Sequence, residues 1–411
     1  MIAQAALYLA TADDLEAALL PVAGRPVAFR TLVTAVRAGA RRVGVPGIFR
    51  GTSVEAAILT SPRARAAAVW LDAGTLEPAP TLLLPAAALA PPPALAALLA
   101  AAAPAVLAGS LQESAPAVVL DAATMAAVAQ GLAAGTPLAD EIGRVLAGGG
   151  ATAVAPGAWY VRVRDGSSAR AAEDRLFAGL GSAIDTRLDR ALHRRLSRHV
   201  TRAAIAVGLT PNQLSVASLL IGLAAAWCFW NATALAAAAG LLVYVVAVVL
   251  DHADGEVARL TLAESRLGEW LDILVDTVVH AALVIAMGIT AQAVAGGGMV
   301  LAATGALGVI ASAGVAKLWP VTSAAGGLGG ALANLGSRDG FYAMLVLFII
   351  ARALAPAALP LLMIVVALGT HAYWLARTLY RASEGASVAP SEASPRTEMR
   401  GQSPRSNGGK L

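Results

Sequence analysis

The chain has 411 residues and a single cysteine, Cys228, so no disulfide can close within it; the thiol falls inside an apolar run, where a small buried side chain is expected. Charge is scarce too, 14% of residues against 58% hydrophobic, and aromatics make only 5%. With a mean hydropathy of +0.69 whose apolar weight lies in the second half, the chain reads as a membrane protein carrying a soluble part. Alanine inflates the hydrophobic count, so spans are read from Leu, Ile, Val and aromatic content over about 20 residues. The opening residues lack a basic n-region, and Asp13 and Asp14 break the opening apolar run, so no secretory signal is expected in them.

What is present is concentrated in Leu250–Thr277, LDHADGEVARLTLAESRLGEWLDILVDT. Asp251, Asp254, Asp272 and Asp276 stand beside membrane-grade apolar sequence, where an ionised side chain is costly and marks a functional site. At 3.6 residues per turn, Asp251, Asp254 and Ala258 share one helix face, and Asp272 and Asp276 share one face of the next helix. Converging carboxylates repel unless a cation sits between them. An all-oxygen set suits Mg²⁺ or Mn²⁺ rather than zinc, and a pair of such ions can clamp a phosphate. Gly255 and Gly268 allow close approach of a nucleotide, and Arg259 can neutralise a phosphate.

These residues reproduce D-x2-D-G-x2-A-R-x8-G-x3-D-x3-D at every fixed position, and the chain here resembles the CDP-alcohol phosphotransferases. The resemblance implies displacement of CMP from a CDP-alcohol donor by an acceptor hydroxyl, at a two-metal Mg²⁺ or Mn²⁺ site. It implies that Asp251, Asp254 and Asp272 bind metal and that Asp276 is both ligand and general base. Asp251, Gly255, Ala258, Arg259 and Gly268 would line the CDP-donor site. Phospholipid biosynthesis, a bacterial inner membrane and a homodimer are expectations of the resemblance alone.

Six spans are predicted: about Asn212–Trp230, opened by a Thr210 cap and Pro211, then Ala234–Arg259, Leu267–Ala291, Met299–Leu318, Asp339–Leu354 and Ala357–Tyr380. Arg187, Arg190, Arg194, Arg195, Arg198 and Arg202 precede the first. Arg259 and Arg266 lie between the second and third, and Lys317 and Arg338 flank the fourth loop; the loops near Asn231 and Gly296 carry no Lys or Arg. The positive-inside bias makes the charged side cytoplasmic, with both termini and the aspartates facing it. Within Asp185–Val207, Leu188, Leu192, Leu196 and Val200 recur every four residues among arginines, the pattern of a basic helix lying on an anionic lipid surface; a surface helix covering the first domain is the alternative.

Residues 1–170 alternate short apolar runs (Ala5–Leu9, Arg42–Val45, Ala67–Leu71, Thr81–Leu84, Ala117–Leu120) with helix-like segments, predicting a soluble α/β domain with a mostly parallel sheet. Pro91, Pro92 and Pro93 exclude a membrane span over Leu82–Leu107. Leu19–Pro46 is similar to the segment that follows the phosphate loop of sugar-phosphate nucleotidyltransferases. Tyr8–Leu20, however, contains no glycine to cradle a phosphate, and Ala86 and Ala87 stand where a metal-binding aspartate is expected. The expected organisation is therefore an inactive nucleotidyltransferase-like domain (1–170), a linker with juxtamembrane helix (171–208), a six-helix α-helical integral membrane domain (209–382) and a disordered tail (383–411), as in di-myo-inositol phosphate synthase-type fusions.

Two other function classes stay open: a bifunctional cytidylyltransferase and phosphodiester synthase, and a non-catalytic nucleotide sensor. Arg338 reads equally as an acceptor-phosphate contact or as the cytoplasmic flank of a helix capped by Asp339. His252 and His280 read as packed or solvent-facing rather than ligating, because an oxygen-rich site selects hard cations. The tail carries basic residues that suit lipid headgroups and suggest no nucleic-acid partner.

Overall fold

The computed structural model describes residues 4–71, 76–181, 189–230, 232–318 and 338–387. They fall into two compact units, residues 1–286 and 287–411.

The first unit opens with a seven-stranded mixed sheet. Its strands are β1 (Gln4–Tyr8), β2 (Arg42–Pro46), β3 (Ala68–Leu71), β4 (Thr81–Pro85), β5 (Ala105–Leu107), β6 (Val118–Leu120) and β7 (Thr152–Val154), in spatial order β7-β5-β6-β4-β1-β2-β3. All neighbours run parallel except β6, which is antiparallel to both β4 and β5. β1 is apolar on both faces because both are covered: Ala5 and Leu7 enter one core cluster, Ala6 and Tyr8 the other. The five strands expected from sequence are present within a residue or two, while β5 and β7, three residues each, were not anticipated. Leu82–Leu107 folds as β4, a helix begun by Pro92 and Pro93, and β5, in keeping with the expected α/β domain.

Helix α1 (Val27–Arg37) covers this sheet, and α2 (Gly166–Ala178) closes the domain, its first turn fixed by an Asp165–Ser168 capping box. Helix α3 (Arg194–Ala206), entered through a π-type turn at Asp189–His193, lies within the segment read as juxtamembrane; Arg187 and Leu188 lie outside the described residues. Then come α4 (Pro211–Phe229), with Thr210 and Gln213 as its capping box, α5 (Ala234–Leu260) and α6 (Arg266–Ala295). Gly222 lets α4 and α6 approach closely: a Cβ there would stand 2.5 Å from a Val279 methyl.

The second unit holds the end of α6, then α7 (Gly298–Leu318), α8 (Arg338–Leu354) and α9 (Leu359–Ser387). Gly308 admits Thr370 and His371 of α9 against α7, and Ser312 donates to the Thr370 carbonyl at 3.0 Å. Among the described residues, five helices, where six were expected, are long and apolar enough to cross a membrane: α4, α5, α6, α7 and Pro356–Leu379. The shortfall is α8, whose 17 residues rise about 26 Å against a hydrocarbon core of about 30 Å. Helix α9 runs to Ser387, past the expected start of a tail at Ser383, since no proline interrupts it before Pro390; residues 388–411 lie outside the described ones.

Within the first unit the sheet domain grips the turn between α5 and α6. Buried Arg30 donates to the carbonyls of Val22 (2.6 Å) and Ala23 (3.0 Å) and, most closely, to that of Leu260 at the end of α5. A guanidinium at a helix C-terminus meets the negative end of the dipole, while burial pushes the Arg30 pKa down to about 9. Arg25 Nε donates to Thr261 O at 2.9 Å and Arg37 pairs with Glu264 at 2.6 Å. Leu262 takes a left-handed conformation (φ +58°), costing about 1–2 kcal/mol, and thereby packs its side chain against the sheet domain's core.

Candidate active site

The aspartates sit where two helices flank this gripped turn. Asp251 and Asp254, one turn apart near the end of α5, are buried at 7% and 5% exposure. Asp272, in the second turn of α6, meets them: one carboxylate oxygen from each of the three lies within 4.8 Å of the others. Two buried carboxylates and a third this close carry mutual repulsion that a bound cation relieves. The donor set is oxygen only, which fits Mg²⁺ or Mn²⁺ by hardness. Asp276, one turn further along α6 and half-buried, falls outside this group of three.

The remaining motif residues line the same two helix segments. A Cβ on Gly255 would stand 3.3 Å from Arg259 Nη1, so the missing side chain is what lets the exposed Arg259 fold back along the helix. Ala258, half-buried, keeps that face low. Gly268 N donates to Ser265 Oγ at 3.0 Å, and a Cβ there would come within 3.7 Å of Asn212 Oδ1 at the start of α4. Arg338, the first residue of α8, belongs to the second unit.

Several polar residues around the aspartates went unrecognised in the sequence. Ser215 Oγ, on α4, donates to Asp254 Oδ2 at 2.5 Å and so orients a candidate ligand. Glu256, fully buried, accepts from Arg194, Ser197 and Thr201, each at 2.8 Å, and ties α3 to α5. That network turns the polar side of α3 inward and leaves Leu192 and Leu196 exposed at 40% and 43%, where a lipid surface would meet them. His280 is bonded to Tyr244 Oη at 2.8 Å, the packed role expected of it. His252 is buried as well, but its ring faces a carboxylate, Asp189, 3.2 Å away. No short sequence pattern announces any of these pairings, because most of the partners come from different helices.

The sheet domain contains a second arrangement bearing on function. After β1, where a phosphate loop would present backbone amides, Ala10 N and Thr11 N donate to Asp14 Oδ2 at 2.9 and 3.2 Å. Arg162 pairs with Asp14 Oδ1 at 2.7 Å. A carboxylate of the chain itself thus satisfies the amides and the guanidinium that would otherwise attract an external anion. At the end of β4, Ala86 and Ala87 are fully buried in the apolar core, with no oxygen ligand between them.

Residues 208–370 match the family model of the CDP-alcohol phosphatidyltransferases. Among curated proteins the chain is similar to the bifunctional IPC transferase and DIPP synthase of Thermococcus kodakarensis, 36% identical over 89 residues that make 22% of this chain and 19% of that protein. The proteins of the same name from Archaeoglobus fulgidus and Aquifex aeolicus are each 33% identical, over 99 and 100 residues, covering 24% of this chain and 19% and 22% of theirs. The matches therefore span about a fifth of the length of these relatives.

Proposed function

We propose that the chain, whose residues 208–370 match the family model of the CDP-alcohol phosphatidyltransferases, transfers a phospho-alcohol group from a CDP-alcohol donor to an acceptor hydroxyl and releases CMP, within a membrane. The observation that carries this reading is the meeting of Asp251, Asp254 and Asp272 from two helices at the motif's spacing. Those three carboxylates would hold Mg²⁺ or Mn²⁺, which when bound would clamp the donor's phosphates and stabilise the attacking and leaving oxygens. Arg259 pairs with a donor phosphate, and Gly255, Ala258 and Gly268 leave room for the nucleotide. Asp276, outside the three-carboxylate group, takes the proton of the acceptor hydroxyl. The hydroxyl oxygen then bonds to the alcohol-bearing phosphorus as the bond to CMP breaks.

In this reading α8 is the sixth span, short enough to need local thinning of the bilayer, and the arginine-rich side with both termini is cytoplasmic. The exposed Leu192 and Leu196 support α3 resting on lipid. The family's description supports a phosphatidyl-type donor and a phospholipid product; the fusion to an α/β domain pulls toward inositol chemistry, with a soluble CDP-inositol-like donor, and Arg338 is the candidate contact to an acceptor phosphate. The name shared by the relatives supports a second, bifunctional reading, but the Asp14 carboxylate in the amide cradle weighs against nucleotidyl transfer by residues 1–170.

Asp276→Asn tests the mechanism. Turnover is expected to fall by about 10²–10⁴-fold while donor affinity stays within a few-fold. An equal loss of donor binding would remove Asp276 from the role of base.

A further inference from the structure

A second cluster of donor atoms lies apart from the three carboxylates. Asp189 and His193, at the two ends of the π-type turn, and His252 on α5 are all buried, at 4%, 0% and 6% exposure. Asp189 Oδ1 stands 2.9 Å from His193 Nδ1 and 3.2 Å from His252 Nε2. One donor atom from each residue lies within 4.8 Å of the other two. In a tetrahedral site, donors about 2.0–2.2 Å from the metal stand roughly 3.3 Å from each other, near the 3.2 Å separation and longer than the 2.9 Å one, which a small outward turn of His193 would open.

The outer contacts of His252 have the form that metal-bound imidazoles take. Its Nδ1 lies 2.9 Å from the Val248 carbonyl, which can only accept, so Nδ1 carries a proton. In the neutral ring Nε2 therefore holds a lone pair, and that lone pair faces a carboxylate oxygen. Two lone pairs at this distance need a positive charge between them, either a proton on Nε2 or a bound metal ion. A backbone carbonyl that fixes the tautomer and turns the other nitrogen toward an acid is the usual second contact of a histidine ligand.

We propose that Asp189, His193 and His252 form a binding site for zinc or a similar borderline divalent ion. Two imidazoles and one carboxylate select such an ion over Mg²⁺, so this site and the oxygen-only aspartate site sort different metals. The bound ion cross-links the turn before α3 to α5 at the residue next to Asp251. It anchors the juxtamembrane segment beside the aspartates and has no part in the transfer itself.

The test is elemental analysis of the full chain, purified in detergent with its affinity tag removed and dialysed against Mg²⁺. About one zinc per chain is expected, falling more than about tenfold in His193→Ala and Asp189→Asn and persisting in Asp272→Asn. Cobalt in place of zinc gives a second readout on the unmutated protein: visible d–d bands of four-coordinate cobalt with nitrogen donors. Wild-type protein that takes up neither metal would overturn the proposal and leave a proton as the bridge between His252 and Asp189. Uptake lost in Asp272→Asn but kept in His193→Ala would equally overturn it, assigning the metal to the aspartates.

Discussion

At the scale of single residues, the proposed mechanism gives the chemistry to the aspartates and makes its efficiency depend on their neighbours. Asp254 is held by the Ser215 hydroxyl at 2.5 Å, so Ser215→Ala removes the contact that orients this carboxylate. The Mg²⁺ concentration for half-maximal CMP release is expected to rise by about 10–100-fold, with Ser215→Thr restoring most of it. An unchanged metal requirement would show that Asp254 is positioned by the helix alone. The motif aspartates, glycines and Arg259 were legible because their spacing is local, read along two helix segments. Ser215 was not, since its partner lies 39 residues on, and neither was Glu256, whose partners on α3 precede it by 55 to 62 residues. Such pairings exist only once helices pack, and a serine or glutamate in isolation carries no sign of them.

At the scale of elements, the turn between α5 and α6 is the piece that must be held still, because it joins the two helices whose carboxylates meet. The sheet domain holds it through Arg30, Arg25, Arg37 and the left-handed Leu262. Burial of the Arg30 charge offsets part of what its three hydrogen bonds contribute. Arg30→Met is therefore expected to cost about 2 kcal/mol, seen as a lower unfolding temperature and faster protease cleavage between 260 and 266. Cleavage at the wild-type rate would show that the sheet domain does not restrain the turn. Most helix limits were readable from apolar runs and caps, Thr210-Pro211 above all. Strands β5 and β7 were not: β6 is as short, but its Val118-Val119-Leu120 run stands out, whereas Ala105–Leu107 and Thr152–Val154 each hold an alanine within alanine-rich sequence and lie toward one edge of the sheet.

At the scale of the whole molecule, an α/β domain is joined to long apolar helices that carry the acidic motif. In the proposed reading the two differ in chemistry: Asp14 takes up the amides after β1 and pairs with Arg162, whereas Asp251, Asp254 and Asp272 meet with an oxygen-only set suited to hard cations. Tyr8–Leu20 contains no glycine, as the sequence shows, but that the Asp14 carboxylate accepts from the amides there became visible only in three dimensions. The most direct measurement is nucleotide release by the purified chain with Mg²⁺ or Mn²⁺, supplied with CDP-diacylglycerol or soluble CDP-alcohols and a panel of hydroxyl acceptors, alongside CTP with phospho-alcohols. CMP that appears only with metal, donor and acceptor together, and no pyrophosphate from CTP, is the predicted result. Pyrophosphate from CTP, or donor binding without CMP across the whole panel, would contradict it.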